Sequence, residues 1–256
     1  VTGTGALSGI AVSPNGRNLY VSLLSTSTLV IETTHFQTIA TISSAGFPYN
    51  SALRLNPTGS RLYSGNEYYG GLQEIDTSTN KYVRWLNGGS YYTQAIAFNH
   101  SGTRIYTNGY HIRTFDQASG TIIGSFTVPR GSGRNFGLAY SPTADVIYAT
   151  NAGSYATDGY LMMLSAATVP VTLIKRIENL GYPWGIAFAP DGTKAYMCLH
   201  GENSIKIIDT TTQTITGEIN TSSYPLDRPK EIVITSDGSR AYVANSGNAN
   251  IIVVSL

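Results

Sequence analysis

Apolar and polar residues alternate along most of this chain with a period of two, in short runs broken by turn residues. The clearest case spans 184–219. Gly185 to Ala189 alternates small or polar with apolar residues, the pattern of a half-buried strand. Pro190-Asp191-Gly192 is a tight turn, with proline presetting φ and glycine taking the positive φ that other residues resist. Lys194 to Leu199 is a second strand, Gly201-Glu202-Asn203 a looser turn, and Ser204 to Ile208 a third strand. Asp209-Thr210-Thr211-Thr212 is a turn whose aspartate can accept bonds from its own backbone. Gln213 to Ile219 completes a four-stranded antiparallel meander. No stretch shows sustained helical periodicity, so no helix is expected.

The same unit recurs through the chain. Its first turn reappears as Pro14-Asn15-Gly16, Pro57-Thr58-Gly59, His100-Ser101-Gly102, Pro142-Thr143-Ala144 and Ser236-Asp237-Gly238. Each turn is followed by a tyrosine: Tyr20, Tyr63, Tyr106, Tyr148, Tyr196 and Tyr242, at spacings of 43, 43, 42, 48 and 46 residues. Four strands per repeat at such a period are the signature of propeller blades. Six tyrosines predict an all-β, six-bladed β-propeller in one domain, 1–256, with a central channel lined by the first strands. The last blade, Lys230 to Leu256, is expected to hold only three strands.

Tyr242-Val243-Ala244-Asn245, Tyr148-Ala149-Thr150-Asn151 and Tyr20-Val21-Ser22 resemble the YVTN-type β-propeller repeat. So do the turns before them and the Ile-Asp-Thr triplets at 75–77 and 208–210. The resemblance covers nearly the whole chain. It implies a propeller related to secreted and surface-layer proteins, some of whose relatives are lactonases or lyases.

Charged residues make up 12% of the chain and the net charge is +1. That excludes a strong electrostatic case for nucleic acid, which needs a basic face to displace counterions. No apolar run is long enough to span a bilayer as a helix. The single Cys198 lies mid-strand and is read as a buried small apolar residue. The chain opens with Val1 and shows no signal-peptide pattern, as expected where a leader has been removed or the sequence is a fragment. Abundant Tyr, Ser, Thr, Asn and Gly suit an extracellular or cell-surface protein. Asn99-His100-Ser101 and Asn220-Thr221-Ser222 match the N-glycosylation sequon.

The loops between blades, and those between second and third strands, open on one end of a propeller. That end collects Tyr68, Tyr69, Tyr91, Tyr92, Tyr110, His111, Tyr182, Trp184, His200 and Arg228 as candidate ligand-binding residues. Phe47, Tyr49, Arg130, Arg134 and Tyr155 fall there too. The opposite end carries Pro-Asp-Gly and Asp-Thr turns with almost no aromatics. Aromatic walls with a few placed polar groups suit ligand sites, and aromatic faces beside Asn, Asp and Arg suit sugar rings. The same positions suit packing: Tyr49, Tyr92 and Trp184 fit core plugs, and Tyr182-Pro183 fits rigid loop punctuation. No nucleophile elbow, zinc motif, phosphate loop or calcium loop is present, so no cofactor or metal is expected. The leading expectation is a non-enzymatic recognition, adhesion or scaffolding module binding protein or glycan at the aromatic end. The alternative is a lactonase- or lyase-type propeller enzyme, with His111, His200, Glu67 and Glu202 at the channel mouth.

Propellers seal their ring by completing one blade with a strand from the other terminus. Too few residues precede Gly9 for a full strand, so a short seal from Val1 to Gly5 is expected. The alternatives are an unsealed three-stranded blade and strand addition by a neighbouring copy along Ile251 to Ser255, which would make the last-blade edge a self-assembly site.

Overall fold

The computed structural model describes residues 7–23, 27–43, 50–89, 92–129, 135–154 and 157–256. These residues form 23 strands and no helix. The chain divides into two compact units, Val1–Thr127 and Val128–Leu256. The first unit holds three four-stranded sheets. Blade one is β1 (Leu7–Val12), β2 (Asn18–Leu23), β3 (Ser27–Glu32) and β4 (Thr38–Ser43). Blade two is β5 (Asn50–Leu55), β6 (Arg61–Asn66), β7 (Gly71–Asp76) and β8 (Lys81–Asn87). Blade three is β9 (Ile96–Phe98), β10 (Arg104–Thr107), β11 (His111–Asp116) and β12 (Ile122–Thr127).

The second unit repeats the plan. Blade four is β13 (Asn135–Tyr140), β14 (Val146–Asn151), β15 (Gly159–Ser165) and β16 (Thr172–Leu180). Blade five is β17 (Pro183–Phe188), β18 (Lys194–Leu199), β19 (Ser204–Asp209) and β20 (Thr214–Ile219). Blade six is β21 (Pro229–Ile234), β22 (Arg240–Asn245) and β23 (Asn250–Ser255). All neighbours pair antiparallel in chain order. These are the blades of a six-bladed β-propeller, as the tyrosine spacing predicts, with a three-stranded last blade. The expected seal by Val1 to Gly5 lies outside the described residues; among those residues β23 pairs with β22.

The repeat motif has a mechanical reason. The turn glycines Gly16, Gly59, Gly102, Gly192 and Gly238 all have φ near +70°, a region that costs L-residues energy and glycine little. The threonine of Asp-Thr then donates its hydroxyl to the turn-glycine carbonyl: Thr77 to Gly59 at 2.8 Å and Thr210 to Gly192 at 2.6 Å. In the same turns Asp76 accepts the backbone N–H of Ser78 and Thr79, and Asp209 that of Thr212. Blade one has Glu32 where others have Asp, and its longer carboxylate does the same for Thr34 and His35. Thr33 keeps the bond to Gly16 at 2.7 Å. In blades one, two and five the turns at this end are therefore tied to one another by side chains of the repeat itself.

Within each unit, successive blades pack through the repeat tyrosine. Tyr20 lies in a cluster with Leu53, Leu62 and Ile75 of blade two. Tyr63 lies with Ile96, Ile105 and Phe115 of blade three. Tyr148 packs on Ile186, Ala195 and Ile208 of blade five, and Tyr196 on Ile232, Ala241 and Val254 of blade six. The first strands approach closely. A side chain at Gly137 would collide with the Trp184 carbonyl, and one at Gly9 with the Ser51 carbonyl. Hydroxyls bridge the same gap: Thr150 donates to Trp184 O at 2.6 Å and Ser22 to Ser51 O at 3.2 Å. Cys198 is fully buried and burial holds its thiol well above the usual range, so it behaves as the apolar filler that the sequence predicts.

Strand β9 is shorter than the alternation from Gln94 predicts. The Asn108 side-chain carbonyl takes the N–H groups of Gln94 and Ala95 at 3.1 and 2.7 Å, so these residues bond a side chain instead of a ladder partner. Of the cations at one position on the second strands, Lys194 and Arg240 are exposed, whereas Arg61 is held by neighbours. Arg61 is only one-third exposed and pairs with Glu74 and Asp76.

Candidate functional site

The candidate residues fall into two groups, one in each unit. In the first unit, Tyr68 and Tyr69 sit on the β6–β7 loop. They are 57% and 49% exposed, with ring centroids 5.2 Å apart in an edge arrangement. Asn66 builds this loop: its side-chain carbonyl accepts the N–H of Tyr68 at 3.0 Å and of Tyr69 at 2.7 Å. Tyr110, on the β10–β11 loop, is 57% exposed and meets Tyr92 edge-on at 5.8 Å. The two loops are connected, because the Tyr92 N–H donates to the Glu67 carbonyl at 2.9 Å. Glu67 also accepts from Gln94 Nε2 at 3.3 Å. His111 opens β11, and its Nδ1 is buried without a hydrogen-bond partner among the described residues. Tyr91, Phe47 and Tyr49 lie outside the described residues, as do Arg130, Arg134 and Tyr155.

In the second unit the candidates form a stack. Trp184 lies parallel to Phe136 at 4.0 Å and 16°, and to His200 at 5.3 Å and 17°. Tyr182 tilts against His200 at 6.0 Å. Lys230 Nζ sits 4.5 Å from the Trp184 ring centroid, close enough for cation–π attraction. Trp184 is thus held by rings and a cation, and it acts as a packing element more than as a free platform. Phe136 and Lys230 were not singled out by the sequence reading. The signal was register: Phe136-Gly137, Trp184-Gly185 and Lys230-Glu231 occupy equivalent places on three successive first strands, so their side chains stack blade on blade. Arg228 stands at the rim, exposed, with Nε 3.5 Å from Asp227 Oδ1. Its N–H donates to Asn203 Oδ1 at 2.8 Å.

Burial, then the positive charges of Lys230 and Arg228, depress the pKa of His200, against a smaller opposing pull from Asp227. The imidazole is neutral in the folded state near pH 7. Its folded pKa lies below the unfolded value of 6.5. The stability it contributes is therefore complete above 6.5 and is lost as pH falls through the folded value. The melting temperature should fall as the pH drops below 6.5, and His200→Gln should remove that part of the fall.

Glu202, one of the carboxylates of the enzyme alternative, and the loop residue Asp158 both hold loop structure. Glu202 Oε1 accepts the Gly181 N–H at 2.7 Å, and its Oε2 pairs with Lys206 at 3.3 Å. Asp158 accepts from the Ser154 N–H at 3.1 Å. Among the described residues no group of three His, Cys, Asp or Glu side chains is placed to hold a metal ion. A recess of about 80 Å³ lies at the opposite end of blades four and five, lined by Thr143, Tyr148, Phe188 and Thr210 among others. It is smaller than the few hundred Å³ that small-molecule sites require.

The sequon asparagines differ. Asn99 locks its turn: Oδ1 accepts the Arg104 N–H at 2.9 Å, and Nδ2 donates to Ser101 and Thr103 at 3.1 and 3.2 Å. Asn220 engages Ser222 through Oδ1. Passed through a glycosylating secretory route, the chain should carry a glycan on Asn220 and none on Asn99, as read by mass spectrometry of its peptides.

No protein-family model matches the chain, and no curated protein matches it. Solved structures do. The chain is similar to Kuenenia stuttgartiensis hydrazine synthase, with a TM-score of 0.85 and 18% identity over 98% of this chain and 83% of that one. It is also similar to a chain in the crystal structure of a mitotic checkpoint complex, with a TM-score of 0.85 and 15% identity over 100% of this chain and 76% of that one. At such identities what is shared is the fold, and the fold is the β-propeller.

Proposed function

We propose that this propeller is a non-enzymatic recognition module of the extracellular space or cell surface, of the YVTN-type repeat, and that it binds glycans through the tyrosines of its first unit. One observation carries the reading. Tyr68, Tyr69 and Tyr110 are each about half exposed, on loops of neighbouring blades linked through Tyr92 and Glu67. Exposed rings are costly to leave uncovered and are characteristic of binding surfaces. Sugar C–H faces stack on such rings, while Glu67 and His111 supply polar groups for hydroxyls. The Trp184 stack of the second unit supports a structural part for that residue, since its ring is already engaged. The bonds that engage both oxygens of Glu202 favour recognition over acid–base catalysis at that residue.

The test is co-sedimentation with a panel of insoluble polysaccharides. Wild type should be depleted from solution by at least one. Tyr68→Ala combined with Tyr110→Ala should weaken that binding about tenfold or more, at the 1–3 kcal/mol typical of ring stacking, with an unchanged melting temperature. Equal depletion of wild type and double variant would remove the tyrosines from the function.

A further inference from the structure

One cation between blades two and three of the first unit stands apart from its neighbours. Arg61 and Arg84 both meet the buried Glu74, and Arg84 also reaches two carbonyls of blade three. Arg113 is half-buried, yet among the described residues its side chain makes no ion pair and no hydrogen bond. Burial depresses its pKa, with no charge or bond opposing the shift. A guanidinium taken partly out of water without an acceptor loses hydration and gains nothing in exchange. The carboxylates of blade two have partners of their own: Glu67 accepts from Gln94, and Glu74 and Asp76 pair with arginines.

Arg113 adjoins the tyrosine surface. Strand β11 begins with His111, directly after Tyr110, and Arg113 lies two residues on, on the same face of the strand. Phe115, two residues further, shares a cluster with Tyr63 and Leu72 of blade two, so that face is turned to blade two. There Arg113 Nη1 lies 4.0 Å from the place a Cβ on Gly89 would take. Gly88, next to it, packs on the backbone of Gly70, the residue after Tyr69. His111 Nδ1, on the same face of β11, is buried without a partner. Two nitrogen groups that nothing in the chain answers thus lie between the loop of Tyr68 and Tyr69 and the strand that starts at Tyr110.

We propose that Arg113, with His111, binds the anionic group of an acidic sugar held on the tyrosine surface. The inference rests on the glycan reading above and names the class of glycan. A guanidinium offers parallel N–H bonds to a carboxylate or a sulfate, and His111 adds a donor at Nδ1. The sugar ring stacks on tyrosine while its anion supplies the partner that Arg113 lacks. A neutral sugar would leave the guanidinium as it stands.

The experiment titrates the chain calorimetrically at about 0.15 M salt, which screens loose charge attraction. The carboxylate probes are polygalacturonate and alginate, and the sulfate probes are heparin and dextran sulfate. Methyl-esterified polygalacturonate and dextran are the neutral counterparts, and polyglutamate is the anion without sugar. Wild type should bind at least one acidic polysaccharide about tenfold or more tighter than its neutral counterpart, and Arg113→Gln should abolish that preference with the melting temperature kept. Arg113→Lys, a charge without the fork, should restore only part of it. Preference for the carboxylate or for the sulfate probes identifies the anion, and either supports the proposal. It is overturned if the acidic and neutral forms bind alike, if Arg113→Gln binds as wild type does, or if polyglutamate binds as tightly. Neutral glycans bound through Tyr68 and Tyr110 with no effect of Arg113 would overturn this inference alone, whereas no binding to any polysaccharide would remove the glycan reading with it. Should Arg113→Gln not fold, phenylglyoxal labelling of the natural chain decides. An acidic polysaccharide should protect Arg113 and leave the exposed Arg240 reactive, and equal labelling of Arg113 with and without it overturns the proposal.

Discussion

Tyr148→Ala is expected to destabilise the protein by about 3–5 kcal/mol, the range for deleting a large buried ring. Tyr148 is 1% exposed and forms the joint between blades four and five. Its ring tilts against Phe188 at 4.7 Å and packs on Ile186, Ala195 and Ile208. Deleting it leaves a void that the two sheets cannot close, because their first strands are already in contact at Gly137. Tyr148→Phe keeps the ring and should cost under about 1.5 kcal/mol. Tyr242→Ala removes a ring at the same register that is 42% exposed, and should cost clearly less. Urea unfolding of the three variants measures all of this. The phenol adds a pH signature. Burial, with the charge of Asp209, pushes the Tyr148 pKa up from 10.0 to about 12. A raised folded pKa means stability that is complete below pH 10 and is lost as pH climbs toward 12. Tyr148→Phe should remove its share of that alkaline loss.

Glu74→Ala is expected to cost about 3 kcal/mol, the low end for breaking a buried ion pair. Glu74 is buried in β7, and its two oxygens hold two arginines: Arg61 Nε at 3.2 Å and Arg84 Nε at 2.6 Å. Arg84 in turn donates to the carbonyls of Ala118 and Gln117 at 2.9 and 2.6 Å, so it ties blade two to a turn of blade three. Without the carboxylate both guanidinium groups lose their shared acceptor. Each is about one-third exposed, and partial access to water softens the loss. Glu74→Gln keeps an acceptor and should lose about half as much. The urea midpoint again measures it, and an unchanged midpoint for Glu74→Ala would show that the arginines find other partners at no cost.

The blades were legible because their signal is repeated. Tyr20, Tyr63, Tyr148 and Tyr196 do one job at one register, and Gly16 with Thr33, Gly59 with Thr77 and Gly192 with Thr210 form the same bond in blades one, two and five, so a single reading of the motif serves much of the chain. The aromatic end was legible as a collection of residues but not as a site. Sequence placed Trp184 and Tyr68 in the same class of loop; only geometry separates a ring held against Phe136, His200 and Lys230 from one half in solvent. The Phe136–Trp184–Lys230 ladder escaped because its members differ in chemistry although they share a register. Glu74 escaped because a carboxylate inside a strand reads as a surface residue until two arginines from neighbouring strands are seen beside it. Asn99 matched a sequon, and its amide turned out to be occupied in holding a turn. In each case the missing information was which side chains face one another, and that follows from strand register more than from residue type.

The central claim, that the first-unit tyrosines form a glycan-recognition surface, is tested most directly on a glycan array probed with the wild-type chain and with the Tyr68→Ala, Tyr110→Ala double variant. The account predicts a restricted set of glycans bound by wild type, with signal lost in the double variant while its melting temperature is kept. No binding across the array, or binding equally strong in the variant, would contradict it.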